Sequence, residues 1–184
     1  LRIPDRLPMR GLRVGLLMAV VMPAALQAQD TEWNRYTLED LGGVYIRIEP
    51  ADACVAAGVT ASAYEADVSL KLIEGEVGVL TQAEMLTHPA MPELRISIEC
   101  ADGSNGTSGA LAYSVGLRVQ QSAQMMRDTQ ITLPEAVTWF RTTVGVTSPG
   151  EAVDAVEATL MAQIDHFVTA WTEIHGDDEG GPGS

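Results

Sequence analysis

Two cysteines, Cys54 and Cys100, and three histidines, His88, His166 and His175, are the side chains here with the widest chemical range. A thiol can attack, bind a metal or form a bridge, but neither cysteine lies in a C-x-x-C unit. His166 and His175 are nine residues apart, which sets them on opposite faces of a helix, and no H-x-x-x-H or H-E-x-x-H spacing occurs. His88 precedes Pro89 in a loop, and all three histidines are expected at the surface. Ser62, Ser108 and Ser114 lie outside any G-x-S-x-G, and there is no phosphate-binding glycine loop. The acid pairs Glu39-Asp40 and Asp177-Asp178 sit where nothing supplies the pocket that would shift a carboxyl into acid or base work. Asp102 to Gly109, DGSNGTSG, has only Asp102 and Asn105 as calcium-type ligands, so it is expected to be a turn. Asn105-Gly106-Thr107 is formally a glycosylation sequon, irrelevant if the source is bacterial. Trp139, Phe140, Phe167 and Trp171 can line a cleft, but their spacing suits a core better. The expectation is no catalytic residue, no metal site and no cofactor.

Charge restricts the partners. With 25 acids against 11 lysines and arginines the chain carries −14. Four of the arginines (Arg2, Arg6, Arg10, Arg13) precede residue 28, so the remainder is more acidic still, with Lys71 its only lysine. Such a field repels phosphate backbones and anionic headgroups, which excludes nucleic acid and electrostatic membrane docking as expected roles. An acidic coat also keeps an exported protein dispersed.

Arg10 and Arg13 precede the apolar run Val14–Met22, then Pro23 and Ala24-Ala25-Leu26-Gln27-Ala28. This basic, apolar, small-residue order is that of a secretory signal, with cleavage expected between Ala28 and Gln29. The run is shorter than the roughly 20 residues of a membrane span, and no other segment reaches that length. Residues 1–28 are therefore expected to be an extension plus signal peptide, 29–175 one domain, and 176–184 a disordered acidic tail. The expected location is periplasmic or secreted.

The rest of the chain alternates between two periods. Val44, Ile46 and Ile48 alternate with Tyr45, Arg47 and Glu49 in a half-buried strand ending at Pro50. Thr60 stands as N-cap of a helix with Tyr64, Val68 and Leu72 in one stripe and Gly75 as its stop. Val77–Leu80 reads as a short strand, and Thr81 with Glu84 as a capping box. Leu94, Ile96, Ile98 and Cys100 share one strand face; Leu111, Tyr113, Val115, Leu117 and Val119 share another, across the turn. A further strand spans about 130–146, and Pro134 demands an edge or a bulge there. Ser148, Pro149 and Glu151 open a long helix whose stripe is Val153, Val156, Leu160, Ile164, Phe167, Trp171 and Ile174. The sum is a two-layer α+β domain: a mostly antiparallel sheet of four to five strands, two helices on one face, and Arg47, Glu49, Arg95, Glu99 and Arg118 on the other. No internal repeat is present. In an oxidising compartment Cys100, at the inner face of its strand, and Cys54, just beyond the first strand, are expected to form a disulfide; the alternative is two buried thiols.

The segments LGGVYIRIEP, SLKLIEGEVGVL, MPELRISIEC, VTWFRTTVGV and IDHFVTAWTEI, in this order, resemble a group of uncharacterised exported bacterial proteins. Where Ala-Gly would follow the first helix, this chain has Gly75-Glu76. In layout the chain also resembles small two-helix α+β envelope proteins such as the lipopolysaccharide-assembly lipoprotein LptE and the N-terminal domain of TolB. These motifs are structural and carry no chemistry. The functional expectation is a non-enzymatic envelope protein that binds an envelope protein or other macromolecule. A small-ligand carrier, with an apolar pocket between helices and sheet, is the alternative, and a hydrolase the third.

Overall fold

The computed structural model describes residues 30–103 and 109–176. The signal segment, its cleavage point, the tail from 177 onward and residues 104–108 of the DGSNGTSG turn lie outside that range. In chain order the elements are α1 (Glu32–Arg35), a 3-10 turn (Tyr36–Leu38), β1 (Val44–Pro50), α2 (Asp52–Ala56), α3 (Ala61–Glu74) and β2 (Val79–Leu80). They continue with α4 (Gln82–Thr87), β3 (Glu93–Asp102), β4 (Leu111–Gln124), β5 (Thr132–Thr147), a second 3-10 turn (Pro149–Glu151) and α5 (Ala152–His175).

The five strands form one sheet in the order β2-β1-β3-β4-β5. β3, β4 and β5 are antiparallel, whereas β1 runs parallel to both β2 and β3. The sheet is thus mixed, its longest ladders antiparallel, because α3 carries the chain back across the layer between β1 and β2. The fold is α+β in two layers. Leu94, Ile96 and Ile98 of β3, Val115, Leu117 and Val119 of β4 and Trp139 of β5 point to one side, where they are buried. They meet Tyr64, Val68 and Leu72 of α3 and Val156, Leu160, Ile164, Phe167 and Trp171 of α5 in one cluster. Side chains at steps of three and four share a helix face, so each helix presents one continuous stripe to that side.

Local chemistry accounts for most ends. Thr81 and Glu84 form the reciprocal capping box of α4. Pro134 lies in an edge strand, and the β4–β5 register shifts between Gln121 and Ala123, beside it. Two ends differ from expectation. Ser148 and Pro149 start a 3-10 turn, in which Ser148 Oγ donates to Glu151 at 2.9 Å, and the α-helix begins only at Ala152. Gly75 closes α3 with φ −87°; the left-handed residue is Glu76, at φ 60°. What position 75 needs is space, since a Cβ there would lie 2.4 Å from Val168 Cγ1 of α5.

Candidate functional site

Cys54 and Cys100 are bridged, with Cα atoms 5.1 Å apart. Cys54 reaches β3 from α2, a helix of five residues too short to show a stripe in the sequence. The histidines stay apart. His88 ends α4, where its Nδ1 accepts the Ala90 N–H at 3.1 Å. His166 is exposed on α5, and His175 stacks on Trp171 with ring centroids 4.2 Å apart. Among the described residues no group of three or more His, Cys, Asp or Glu could hold a metal ion. Ser62 is exposed near the start of α3, Ser114 lies on β4, and Glu39-Asp40 is exposed in the segment before β1. No nucleophile, base and orienting group come together in these placements.

The four aromatics divide. Trp139 and Phe167 pack edge to face at 5.2 Å, and Trp171 follows at 6.0 Å from Phe167, all inside the core. Phe140, one residue on from Trp139, faces the other way.

That other way is the sheet face opposite α3 and α5. On its β1–β3 half, charge is paired: Arg47 Nε meets Glu93 at 3.0 Å, and Arg95 grips Glu49 with contacts of 2.7 and 3.0 Å. The Arg95 hydrogen bonds, outweighing desolvation, hold the Glu49 carboxyl below its ordinary value. Arg118 donates to Ser97 Oγ at 3.1 Å. Towards the last residues of β5 the face turns apolar, with Glu99 and Arg118 at its rim. An open trough of about 750 Å³ runs between Glu99 and Ala101 of β3 and Val144 and Val146 of β5, floored by Ala112 and Ser114. A second hollow of about 360 Å³ lies along the same strands, bounded by Gly116, Arg118, Val137, Phe140 and Thr142. The registers Ala112↔Val146, Ser114↔Val144 and Gly116↔Thr142 place small residues of β4 beside taller ones of β5, which cuts the trough. Val144 is 77% exposed and Val146 73%. Such a surface can bind an apolar or extended chain, with Glu99 and Ser114 as polar side chains along it.

The charged half of this face was visible in the sequence and the apolar half was not. Val144 and Val146 alternate with Thr143, Gly145 and Thr147, a pattern in which neither side is plainly wet. The alternation of Ala112, Ser114 and Gly116 on the polar side of β4 was the available signal.

A separate polar cluster fastens the N-terminal segment. The Asp30 carboxylate, its side chain only 5% exposed, accepts from Arg35 at 2.7 and 3.0 Å and from the Trp139 indole at 3.0 Å, with Arg141 3.6 Å away. Asn34 adds a hydrogen bond to the Thr138 carbonyl at 2.7 Å. Every polar group of Asp30 points at its own chain, which suits anchoring and leaves little for a ligand.

No helix among the described residues is long and apolar enough to cross a membrane. No protein-family model, curated protein or solved structure matches this chain.

Proposed function

We propose that this chain is an exported, non-enzymatic accessory protein of the bacterial envelope that binds another macromolecule through the open face of its sheet. One observation carries the reading: an apolar trough with Val144 and Val146 at its wall lies on the face that neither α3 nor α5 covers. Exposed apolar surface of this kind, rimmed by polar groups, marks interaction sites. Export is supported by the arginine-flanked run Val14–Met22 and by the Cys54–Cys100 bridge, which persists in oxidising compartments. A carrier with its pocket between the layers has less support, because that space is filled by Trp139, Phe167, Leu160 and their neighbours.

The test is site-specific photo-crosslinking in the native envelope. A photoreactive residue at Val144 should give a discrete adduct with another molecule, and the same probe at Glu65, exposed on α3, should not. Adding Val146→Asp should abolish the adduct while leaving the fold intact. Equal adducts from Val144 and Glu65, or none from either, would overturn the proposal.

A further inference from the structure

The two edges of the sheet are unlike. β2, at one end, is two residues long and offers little to pair with. β5, at the other, runs for sixteen residues, and among the described residues no strand lies on its outer side. Proteins blunt such edges with charge, proline and bulges, because free N–H and C=O groups invite another strand. β5 carries those devices in its first part, at Pro134, Glu135 and the register shifts beside them. From Trp139 to Thr147 its register is unbroken. The one charged side chain in that stretch, Arg141, turns to the helix layer and faces Asp30 at 3.6 Å. A chain of net charge −14 thus has a neutral, unguarded edge.

The helix layer reaches the same edge. Ala158, Ala162 and His166, four residues apart, lie exposed along one line of α5. With Thr159 and with Thr143 of β5 they border a hollow of about 280 Å³. Gln163, 2% exposed, lines the same hollow; its Nε2 donates to Thr143 Oγ1, and its Oε1 has no hydrogen-bond partner. A buried acceptor left without a donor is costly, and a donor from across the edge would satisfy it.

We propose that the β5 edge and the adjoining flank of α5 form a two-fold interface between two copies of this chain. β5 of each copy pairs antiparallel with its counterpart about Thr143, joining the sheets into one of ten strands, and the two α5 helices pack across Ala158 and Ala162. Three observations favour a second copy over a foreign strand. Two like-charged molecules repel least across a strip with few charges. Over that stretch β5 carries only Arg141, held by Asp30, while the edge-side line of α5 is neutral from Ala158 to Ala162, with the exposed Asp154 one turn away. An antiparallel strand pair has its own two-fold axis, so one surface serves both sides. The hollow beside β5 is filled only by a partner that brings a helix layer at the same height as its strand. Centring on Thr143 sets Phe140 opposite Val146 and Thr142 opposite Val144 on the open face, where both valines otherwise stand in water. The inference does not depend on the proposed function, since the trough stays on the open face and the two troughs become one continuous surface.

Sedimentation equilibrium on the purified chain from Gln29 onward is the experiment. A monomer–dimer equilibrium is expected in the micromolar range, tightening as added salt screens the net charge. Thr143→Lys and Ala162→Glu each place like charges across the axis and should weaken dimerisation about tenfold or more, with unchanged circular dichroism. Mixing Ala162→Glu with Ala162→Lys should restore it. Oxidised Thr143→Cys should run as a covalent dimer, and Glu65→Cys should not. A wild-type chain that stays monomeric throughout the micromolar range, or a dimer that neither charge variant weakens, would overturn the proposal. A Val144 adduct with a second copy would belong to this interface and one with a different molecule to the proposed function, so the mass of the adduct keeps the two experiments apart.

Discussion

The indole N–H of Trp139 donates to Asp30 Oδ1 at 3.0 Å, tying the segment before α1 to the middle of β5 across 109 residues of sequence. Burial alone would push the Asp30 carboxyl up. The hydrogen bonds from Arg35 and Trp139, with the charges of Arg35 and Arg141, outweigh it and hold the group below its ordinary 3.8. A depressed carboxyl stabilises the fold fully above its unfolded value, and that contribution disappears as pH falls through the folded value. Asp30→Asn should therefore cost about 1–3 kcal/mol at pH 7 and progressively less below about pH 4. Urea melts of both proteins at pH 7 and pH 3 check this; an equal gap at both would contradict it.

Leu160 is fully buried in the α5 stripe, whereas Leu70 of α3 is 56% exposed. Leu160→Ala should destabilise by about 2–5 kcal/mol, and Leu70→Ala by no more than about 0.5 kcal/mol. Chemical denaturation of the pair separates a packed stripe from a wet one.

The Cys54–Cys100 bridge closes a loop with a sequence separation of 46. Chain entropy assigns such a link about 4 kcal/mol. Cys54→Ser with Cys100→Ser should lower stability by an amount of that order, and the folded wild type should resist alkylation until reduced. Two alkylated thiols on the unreduced, folded protein would show that the bridge does not form.

Glu76 adopts φ 60°, a conformation that costs a residue with a Cβ and costs glycine nothing. Glu76→Gly should stabilise the fold by about 0.5–1 kcal/mol, the relief of strain exceeding the added freedom of the unfolded chain. It also removes one negative charge from an acidic molecule. A thermal melt showing destabilisation would mean that Glu76 makes a compensating contact.

Expressed from Met9 in a bacterium, the protein should be recovered outside the cytoplasm with an N-terminus near Gln29. N-terminal sequencing of the periplasmic fraction reads this directly. A soluble cytoplasmic product that keeps Val14–Met22 would count against export.

The elements legible in the sequence are those whose signal is local. Ile46 and Ile48, Leu94 to Ile98, Leu111 to Val119 and the α5 stripe alternate with the periods of strand and helix, and those periods follow from backbone geometry alone. Thr81 and Glu84 found each other three residues apart for the same reason. The two-layer α+β architecture then follows, because each stripe needs an apolar face to cover it.

Partner choice is not local, and there the sequence was silent. Nothing in Val44–Pro50 says that its neighbours run parallel to it; that depends on α3 returning the chain to the starting edge of the sheet. Five residues of α2 are too few for a period, yet they bring Cys54 to Cys100. Spacing placed Arg47, Arg95 and Glu49 on one face, but only the register of β1 against β3 made Arg95 and Glu49 partners. Val144 and Val146 alternate with Thr143, Gly145 and Thr147, which does not say which side is covered, so their exposure was decided by where the helices lie. A residue pattern states which sides of an element avoid water. Which of those sides stays uncovered is set by the packing of whole layers, and the apolar trough and the open edge of β5 exist for that reason.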